Sequence, residues 1–204
     1  MKKNVQFVIQ LAALSLFIFL FVTGKVQIRM GLFLLGIAGS FILGRFYCGW
    51  FCSINTSMLG VSWIKKKLGI KSLKIPTLLK QTWFRYLLLI IFVGVFLFIM
   101  LTGQKLPVLP FLFFAGILIT FVFPEELWHR YLCPYGTLLA ATSAKSLHYL
   151  KIEEDSCTNC GACIRVCPAK AIAKPVKKPE IQKSDCLLCM KCEKVCKEKA
   201  ISYR

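Results

Sequence analysis

The last third of the chain contains the same cysteine spacing twice, and this feature restricts the fold more than any other. Each run reads C-x2-C-x2-C-x3-C, and the two runs comprise Cys157, Cys160, Cys163, Cys167, Cys186, Cys189, Cys192 and Cys196. Three thiolates two residues apart can reach one cubane iron-sulfur cluster if the backbone curls around it, while the fourth thiolate points away. The spacing therefore predicts two 4Fe-4S clusters within one small domain.

The fourth cysteine of each run determines how the ligands are shared. In two-cluster ferredoxins this cysteine binds the cluster of the other run. One predicted cluster is therefore held by Cys157, Cys160, Cys163 and Cys196, and the other by Cys186, Cys189, Cys192 and Cys167. Crossed ligation also ties the two runs into one fold, so we predict a small α+β ferredoxin domain of the bacterial type at residues 151–204.

Structural zinc and disulfide bonds are the alternatives for closely spaced cysteines. Zinc sites usually separate their two cysteine pairs by a longer loop, whereas each run here places four cysteines within eleven positions. Disulfides need an oxidising compartment, but the topology predicted for this chain places these thiols in the cytosol. The spacing therefore favours iron-sulfur clusters.

The preceding 150 residues are too apolar for an ordinary soluble domain. The whole chain is 57% hydrophobic with 17 phenylalanines and a mean hydropathy of +0.65, although its cysteine-rich end is polar. Apolar stretches at residues 5–22, about 28–44, 83–102 and 106–123 each suit a membrane-spanning helix. We therefore predict an all-α membrane domain of four transmembrane helices at residues 1–150.

Basic residues are concentrated beside the predicted spans. Residues 1–150 contain 15 Lys or Arg against two Asp or Glu, within a net charge of +18 for the chain. Eight of these basic residues lie at positions 45–85, whereas the other two loops contribute only Lys25, Arg29 and Lys105. The positive-inside rule then places this loop, both termini and the clusters on the cytoplasmic side of the inner membrane. Nucleic acid is not an expected partner, because no nucleic-acid-binding module accompanies the charge.

The membrane interface is predicted from its lysines and tryptophans. The run at positions 65–67 is interpreted as a contact with membrane lipids, and docking of an acidic electron carrier is the alternative. The four tryptophans, Trp50, Trp63, Trp83 and Trp128, are interpreted as an aromatic belt at the membrane surface.

The membrane domain also contains an internal repeat. A shift of 81 residues places Cys48 on His129 and Cys52 on Cys133, and the preceding spans coincide as well. Residues at i and i+4 of a helix share one face, so two parallel pseudo-repeats would bring both pairs together. The four residues are candidate ligands of zinc or of a further iron-sulfur centre. The alternative is that these cysteines are simply buried as small hydrophobic residues.

Taken together, the motifs resemble those of the NapH-type polyferredoxins, relatives of the membrane core of NosR. The specific residues are Gly44-Arg45, Cys48-Gly-Trp-Phe-Cys52 and Cys133-Pro134-Tyr135-Gly136, and the resemblance covers nearly the whole chain. Both family motifs usually read C-x3-C-P, but here Ser53 replaces the first proline and His129 replaces a cysteine. The resemblance implies membrane electron transfer between a quinol pool or soluble carriers and a reductase system.

We expect an electron-transfer subunit rather than a complete enzyme. No catalytic residues are predicted, and the sequence contains no phosphate-binding glycine loop, Rossmann fingerprint or haem attachment motif. The chemical conversion is therefore expected from redox partner proteins within a multi-subunit complex. The alternatives are a scaffold or maturation factor for a membrane-associated redox enzyme or metalloenzyme, and a redox sensor.

Overall fold

A computed structural model describes residues 3–24, 28–103, 107–174 and 178–204. In the membrane part, the described residues form α1 (Lys3–Val22), α2 (Ile28–Leu43), α3 (Phe46–Trp50), α4 (Ser53–Lys67), α5 (Thr82–Thr102), α6 (Val108–Val122) and α7 (Pro134–Ser143). A 3-10 turn at Thr77–Lys80 precedes α5, and a π-helix at Leu127–Leu132 lies between α6 and α7. Lys25 and Lys105, used in the topology prediction, and the predicted start of the fourth span, Leu106, lie outside the described residues.

Two of the described helices are long and apolar enough to cross a membrane. They are Val5–Val22 within α1 and Thr82–Thr102, with mean hydropathies of 2.4 and 2.7. None of α5 is buried, so this apolar helix needs lipid or another protein around it. The helices at the other two predicted spans, α2 and α6, are shorter, at 16 and 15 residues. Membrane association is thus supported, and the four-span architecture stays a prediction.

The membrane part is built from two halves that pack alike. Helix α4 packs against α1 of its own half and α6 of the other, and α7 packs correspondingly against α5 and α2. Cys52 and Cys133 begin α4 and α7 with nearly equal φ and ψ angles, −75° and 111° against −73° and 111°. Met58 and Leu139, which the shift of 81 residues superimposes, are both fully buried in the shared core. The packing therefore follows the same twofold pattern as the sequence.

The C-terminal part combines two short helices with two antiparallel strand pairs. Helices α8 (Ala162–Val166) and α9 (Lys191–Val195) each overlap a cysteine run, β1 (Leu150–Ile152) pairs with β4 (Ile201–Tyr203), and β2 (Ile172–Ala173) pairs with β3 (Glu180–Ile181). Leucine and isoleucine side chains from all four strands form its core with the apolar residues of the cysteine loops. The predicted domain boundary between residues 150 and 151 lies within β1.

The C-terminal part is joined to the end of α2. The N–H of His148 donates to the carbonyl of Ile42 at 2.9 Å, and the hydroxyl of Tyr203 donates to the carbonyl of Leu43 at 3.1 Å. The last carbonyls of a helix have no partner within that helix. The C-terminal part therefore caps the end of α2. The next residue, Gly44, has a left-handed backbone with a φ of 69° and ends the helix.

The aromatic-belt interpretation is wrong for two of the four tryptophans. Trp50 and Trp128 are only 2% and 3% exposed and lie inside the protein. Trp63 and Trp83 are 64% and 52% exposed, as a residue at a membrane surface would be. Sequence position alone cannot separate the two pairs, because tertiary packing decides which of the rings are covered.

Lys65 is likewise not part of an exposed basic run. Its side chain is buried, and Nζ donates to the carbonyl of Thr120 at 2.8 Å and to the Ser72 hydroxyl at 2.7 Å. A lysine at this position binds carbonyls at the end of α6 and stabilises the negative end of its dipole. Lys66 and Lys67 are exposed and stay candidates for lipid contact.

Candidate iron-sulfur sites

Two cavities in the C-terminal part are each lined by four cysteines. The first has a volume of about 280 Å³ and is lined by Cys157, Cys160, Cys163 and Cys196, which we call the outer site. The second, smaller cavity is lined by Cys167, Cys186, Cys189 and Cys192, which we call the inner site. Each site thus contains three cysteines of one run and the fourth cysteine of the other.

The two cysteine loops are residues 157–163, the outer loop, and residues 186–192, the inner loop. Their backbones follow the same curled path. Asn159 and Gly161 of the outer loop have φ angles of 57° and 70°, and Leu188 and Met190 of the inner loop have φ angles of 51° and 55°. A left-handed backbone costs a residue other than glycine roughly 1–2 kcal/mol. Its recurrence at equivalent positions indicates a functional constraint, and the curl gathers the cysteines of each loop around one cavity.

Backbone N–H groups of the loops donate to cysteine sulfurs. Cys160 accepts such a bond from Ala162, which lowers the pKa of its thiol, and Cys189 accepts one from Lys191. Donors of this kind stabilise a thiolate relative to a thiol, and the thiolate is the form that ligates a cluster. The donor sets of both sites therefore fit an iron-sulfur cluster.

The spacing of the ligands bears on the zinc alternative. In the described ranges of the chain, no three His, Cys, Asp or Glu side chains are grouped as ligands of a single metal ion. Zinc would need four ligands within about 2.3 Å of one ion, whereas a cluster of four irons holds its ligands further apart. In the described residues, the cysteines of neither site therefore form a single-ion zinc site.

The outer and inner sites differ in exposure. Cys160 of the outer site is exposed, whereas Cys192 of the inner site is buried. Burial raises the pKa of Cys186 to about 12, so this thiol loses its proton at neutral pH only when a metal replaces it. Water is therefore largely excluded from the inner site, whereas the outer site is exposed to solvent.

Helix α3 of the membrane part lies directly against the inner loop. Trp50 donates through Nε1 to the carbonyl of Leu188 at 3.2 Å. Gly49 approaches so closely that an added Cβ would lie 2.2 Å from the carbonyl oxygen of Leu187. The motif at residues 48–52 thus touches the inner loop through its glycine and its tryptophan.

A third group of candidate metal ligands lines a large apolar cavity in the membrane part. The cavity has a volume of about 550 Å³ and is lined by residues of α1, α2, α5 and α6. Its lining includes all four predicted ligands, Cys48, Cys52, His129 and Cys133, together with aromatic side chains such as Phe33. The fold therefore brings the two pairs of the repeat to one place, which we call the cavity site.

His129 is buried at the cavity site with a ring nitrogen that makes no hydrogen bond. The residue is 5% exposed, and its Nε2 has no partner in the described part of the chain. Burial, assisted by the charge of Arg45, lowers the pKa of His129 to about 3, so the imidazole is neutral. Burial and the nearby thiols of Cys52 and Cys48 raise the pKa of Cys133 to about 12. An imidazole and three thiols are the residue types that bind zinc or an iron-sulfur centre, but in the described residues no three of them are grouped closely enough to hold a single metal ion.

The interpretation that each pair lies on one helical turn is wrong. Each pair straddles the end of a short helix, with Cys52 after α3 and Cys133 after the π-helix. The N–H groups of Cys52 and Cys133 donate to carbonyls five residues earlier, those of Tyr47 at 3.0 Å and Trp128 at 2.9 Å. These bonds widen the last turn, and each cysteine then begins the next helix.

Arg45 and Asp185 are two charged site residues to which the sequence patterns assigned no role at the sites. Arg45 is 1% exposed and lines the cavity site. Asp185, which immediately precedes Cys186, is buried and forms ion pairs with Arg85 at 3.5 Å and Arg130 at 3.4 Å. A charged residue at the end of an apolar span is a signal of function, and it would have drawn attention to Arg45.

Comparisons with protein families match the same three regions. A family described as a 4Fe-4S binding domain matches twice, at residues 28–71 and 106–147. A family described as a 4Fe-4S dicluster domain matches residues 133–201. The first family covers each half of the membrane part with its predicted ligand pair, and the second covers all eight C-terminal cysteines.

Several relatives of the chain are named ferredoxin-type proteins. The ferredoxin-type protein NapH of Haemophilus influenzae is 32% identical over 65% of this chain and 51% of its own length. The methylamine utilization ferredoxin-type protein MauN of Methylobacillus flagellatus is 30% identical over 69% and 54%. YccM of Escherichia coli, provisionally named an electron transport protein, is 27% identical over 64% and 43%. The chain spans about half the length of these relatives, and no solved structure matches it.

The matches and the geometry agree on the class of cofactor. Both matching families are described by 4Fe-4S binding, and the chain supplies 11 cysteines, all of which line one of the three sites. Iron-sulfur binding is therefore established for this chain. The resemblance inferred from the motifs is confirmed: the chain is similar to the NapH-type 4Fe-4S ferredoxin-type proteins.

Proposed function

We propose that this chain is a membrane-anchored electron-transfer protein. It relays single electrons between a quinol or a soluble carrier and a partner reductase system, within a multi-subunit complex. The observation that carries the proposal is the pair of four-cysteine sites, one open to solvent and one in contact with the membrane part. The names of the relatives, ferredoxin-type and electron transport proteins, support the same role.

Two 4Fe-4S clusters are proposed, one at the outer site and one at the inner site. Such a cluster, when bound, supplies reversible storage of one electron. The chain itself provides the thiolates, the backbone N–H donors that stabilise their charge, and a cover over the inner loop that excludes water. The exposed outer site offers a face that a soluble carrier can approach.

The cavity site is proposed as a further metal or iron-sulfur centre. Three thiols and His129, whose buried Nε2 has no hydrogen-bond partner among the described residues, line the same cavity. The family that matches both halves of the membrane part is described by 4Fe-4S binding, which supports iron rather than zinc. The contact of Gly49 and Trp50 with the inner loop supports a position of this centre next to the inner site.

The apolar cavity supports a quinol as one redox partner. Its volume of about 550 Å³ is within the range of roughly 300–1,000 Å³ that holds small organic ligands. The lining extends along α5 from Phe92 to Met100 and consists mainly of apolar and aromatic side chains. A lipid-soluble carrier could therefore occupy the same space that the metal-binding side chains border.

The membrane part is proposed to anchor the three sites in the cytoplasmic (inner) membrane as a multi-pass domain. Both termini and all clusters would lie on the cytoplasmic side. The apolar surface of α1 and α5 supports the anchor. The exposed lysines in and just after the last turn of α4, which are Lys66, Lys67 and Lys71, support the orientation.

Metal analysis tests the cofactor count. The full chain, purified anaerobically in detergent, should contain about eight irons per chain if only the outer and inner sites are filled, and about twelve if the cavity site holds a third 4Fe-4S cluster. A Cys48→Ser and Cys133→Ser double variant should lower the larger value to the smaller one. Iron-free protein that contains zinc or disulfide bonds would contradict the proposal.

Electron flux tests the role itself. Reconstituted in lipid vesicles with a quinol and an electron acceptor, the wild-type protein should be reduced and reoxidised during turnover, and a Cys160→Ala and Cys189→Ala double variant should not. Ser156→Ala, at an exposed position beside the outer run, is the control and should keep full flux. Full flux in the double cysteine variant would exclude electron relay and favour a scaffold role.

A further inference from the structure

Arg45 is a buried cation at the junction of the membrane part and the C-terminal part. Its side chain is 1% exposed. It lies at the N-cap of α3, directly after the left-handed Gly44 that ends α2. The turn between the two helices therefore places a full positive charge where the cavity site meets the inner loop.

The guanidinium of Arg45 contacts three separate segments. Nη1 donates to the carbonyl of Ser184 at 3.1 Å, two residues before Cys186 of the inner site. Nη2 donates to the carbonyl of His129 at 3.5 Å and lies 3.9 Å from the Sγ of Cys48, within reach of a weak bond to sulfur. The planar guanidinium of Arg45 thus links Ser184, just before the inner loop, to two residues of the cavity site.

The charge of Arg45 has no carboxylate partner in the described part of the chain. An arginine stays protonated in proteins, and a buried cation without a counter-charge is unfavourable. Asp185, which follows Ser184, is already paired with Arg85 and Arg130. No carboxylate among the described residues of this interface therefore pairs with the charge of Arg45.

Cysteine thiolates can supply the missing negative charge. In a 4Fe-4S site the four thiolates outweigh the positive charge of the core, and one-electron reduction adds one more negative charge. A fixed cation therefore stabilises the reduced state more than the oxidised state, most strongly where water is excluded. The inner site, which is covered by α3, meets this condition.

We propose that Arg45 is a positioning residue that supplies the counter-charge of the inner site and joins it to the cavity site. This inference rests on the proposed function, because it needs a cluster at the inner site. Arg45 holds the inner loop against Cys48 and raises the reduction potential of the inner cluster. The arginine just after the outer loop, Arg165, donates to the carbonyl of Cys160 at 3.4 Å but is exposed, so solvent screens its charge.

Redox titration of two variants tests the proposal. Arg45→Gln keeps an amide N–H donor but removes the positive charge. Arg45→Lys keeps the positive charge but removes the planar guanidinium that donates in two directions. Both are purified as full chains, and midpoint potentials are read by electron paramagnetic resonance, with the signals assigned through Cys160→Ser and Cys189→Ser. Arg45→Gln should move the inner midpoint to a more negative potential and leave the outer midpoint in place. Arg45→Lys should stay closer to the wild type.

Two further variants make the result specific. Arg165→Gln is the control and should move neither midpoint appreciably. In Gly136→Ala the added Cβ would lie 2.7 Å from Nη2 of Arg45 and should displace the guanidinium. The inner midpoint should then shift in the same direction as in Arg45→Gln. This variant therefore also tests the proposal if Arg45→Gln does not fold. An unmoved inner midpoint, equal shifts at both sites, or equal shifts in the lysine and glutamine variants would overturn the role of Arg45. Wild-type protein without iron-sulfur signals would instead overturn the proposed function.

Discussion

The outer and inner sites use the same loop in opposite surroundings. Both loops have left-handed residues on either side of their second cysteine, yet Cys160 is exposed and the inner loop is covered by α3. The difference lies in the residues between the cysteines. The outer loop reads Thr-Asn-Cys-Gly and is polar, whereas the inner loop reads Leu-Leu-Cys-Met and is apolar.

This difference shows how a repeated motif acquires two roles. The cysteine spacing fixes the cluster geometry, and the intervening side chains decide whether that loop faces water or protein. Leu187, Leu188 and Met190 are at most 5% exposed, and Leu187 belongs to the apolar core of the membrane part. The outer site is thus suited to a transient partner, and the inner site to a permanent contact within the chain.

The largest expected difference between the two sites is in resistance to iron loss. Treatment of the full chain with ferricyanide and a chelator should remove the outer cluster while the inner cluster is retained, because only the outer cysteines include an exposed one, Cys160. Iron release should therefore occur in two phases. Mass spectrometry after alkylation should find Cys160 modified before Cys189. Simultaneous release and simultaneous alkylation would show that the two sites are equally accessible.

The second prediction concerns the ion pairs that hold the inner loop. Asp185→Asn leaves Arg85, which is 15% exposed, without its counter-charge, and loss of one partner of a largely buried pair costs about 3 kcal/mol. The denaturant midpoint for loss of the cluster absorbance should fall accordingly.

Glu153→Gln is the matched control for this ion pair. Its partner is Arg204, and both side chains are at least 50% exposed, so the expected cost is about 0–1 kcal/mol. Equal losses in the Asp185 and Glu153 variants would mean that the inner loop is not held by its buried charges.

Local patterns predicted the cysteine grouping and the positions of the long helices. Ligand spacing within eleven residues and unbroken apolar runs are short-range signals, and α1 and α5 begin within two residues of the predicted spans. Contacts between distant segments were not predictable in the same way. The burial of Trp50 and Lys65 depends on which segment packs over them, and the turn after α3 depends on a bond from Cys52 to Tyr47.

One long-range contact did leave a signal in the sequence. The apolar residues around Cys189, in contrast to the polar residues around Cys160, indicate that the second loop is covered. The sequence does not indicate what covers it. That requires the close approach of Gly49, which a motif of two cysteines cannot reveal.

The third prediction tests this close approach. Gly49→Ala would place a Cβ 2.2 Å from the carbonyl oxygen of Leu187, and relief of such an overlap costs about 1–3 kcal/mol. The inner loop should separate from α3, and the inner cluster should become accessible to the chelator.

Gly60→Ala is the control for the glycine variant. Gly60 lies in α4 with no atom within 4 Å of an added Cβ, so alanine should stabilise the helix by about 0.5–1 kcal/mol. A Gly49→Ala protein whose inner cluster is as protected as in the Gly60→Ala protein would contradict the contact.

The smallest expected effect isolates one hydrogen bond of the interface. Trp50→Phe removes the Nε1 donor to the carbonyl of Leu188, while the phenylalanine ring can still stack on Phe46, whose ring centroid lies 4.8 Å from that of Trp50. The expected loss is about 0.5–1.5 kcal/mol, measured as the denaturant midpoint of the inner cluster absorbance. Trp63→Phe, at a 64% exposed position, should change stability by less than about 0.5 kcal/mol. If the two variants are equally stable, apolar packing alone holds the inner loop, because the hydrogen bond then contributes nothing measurable.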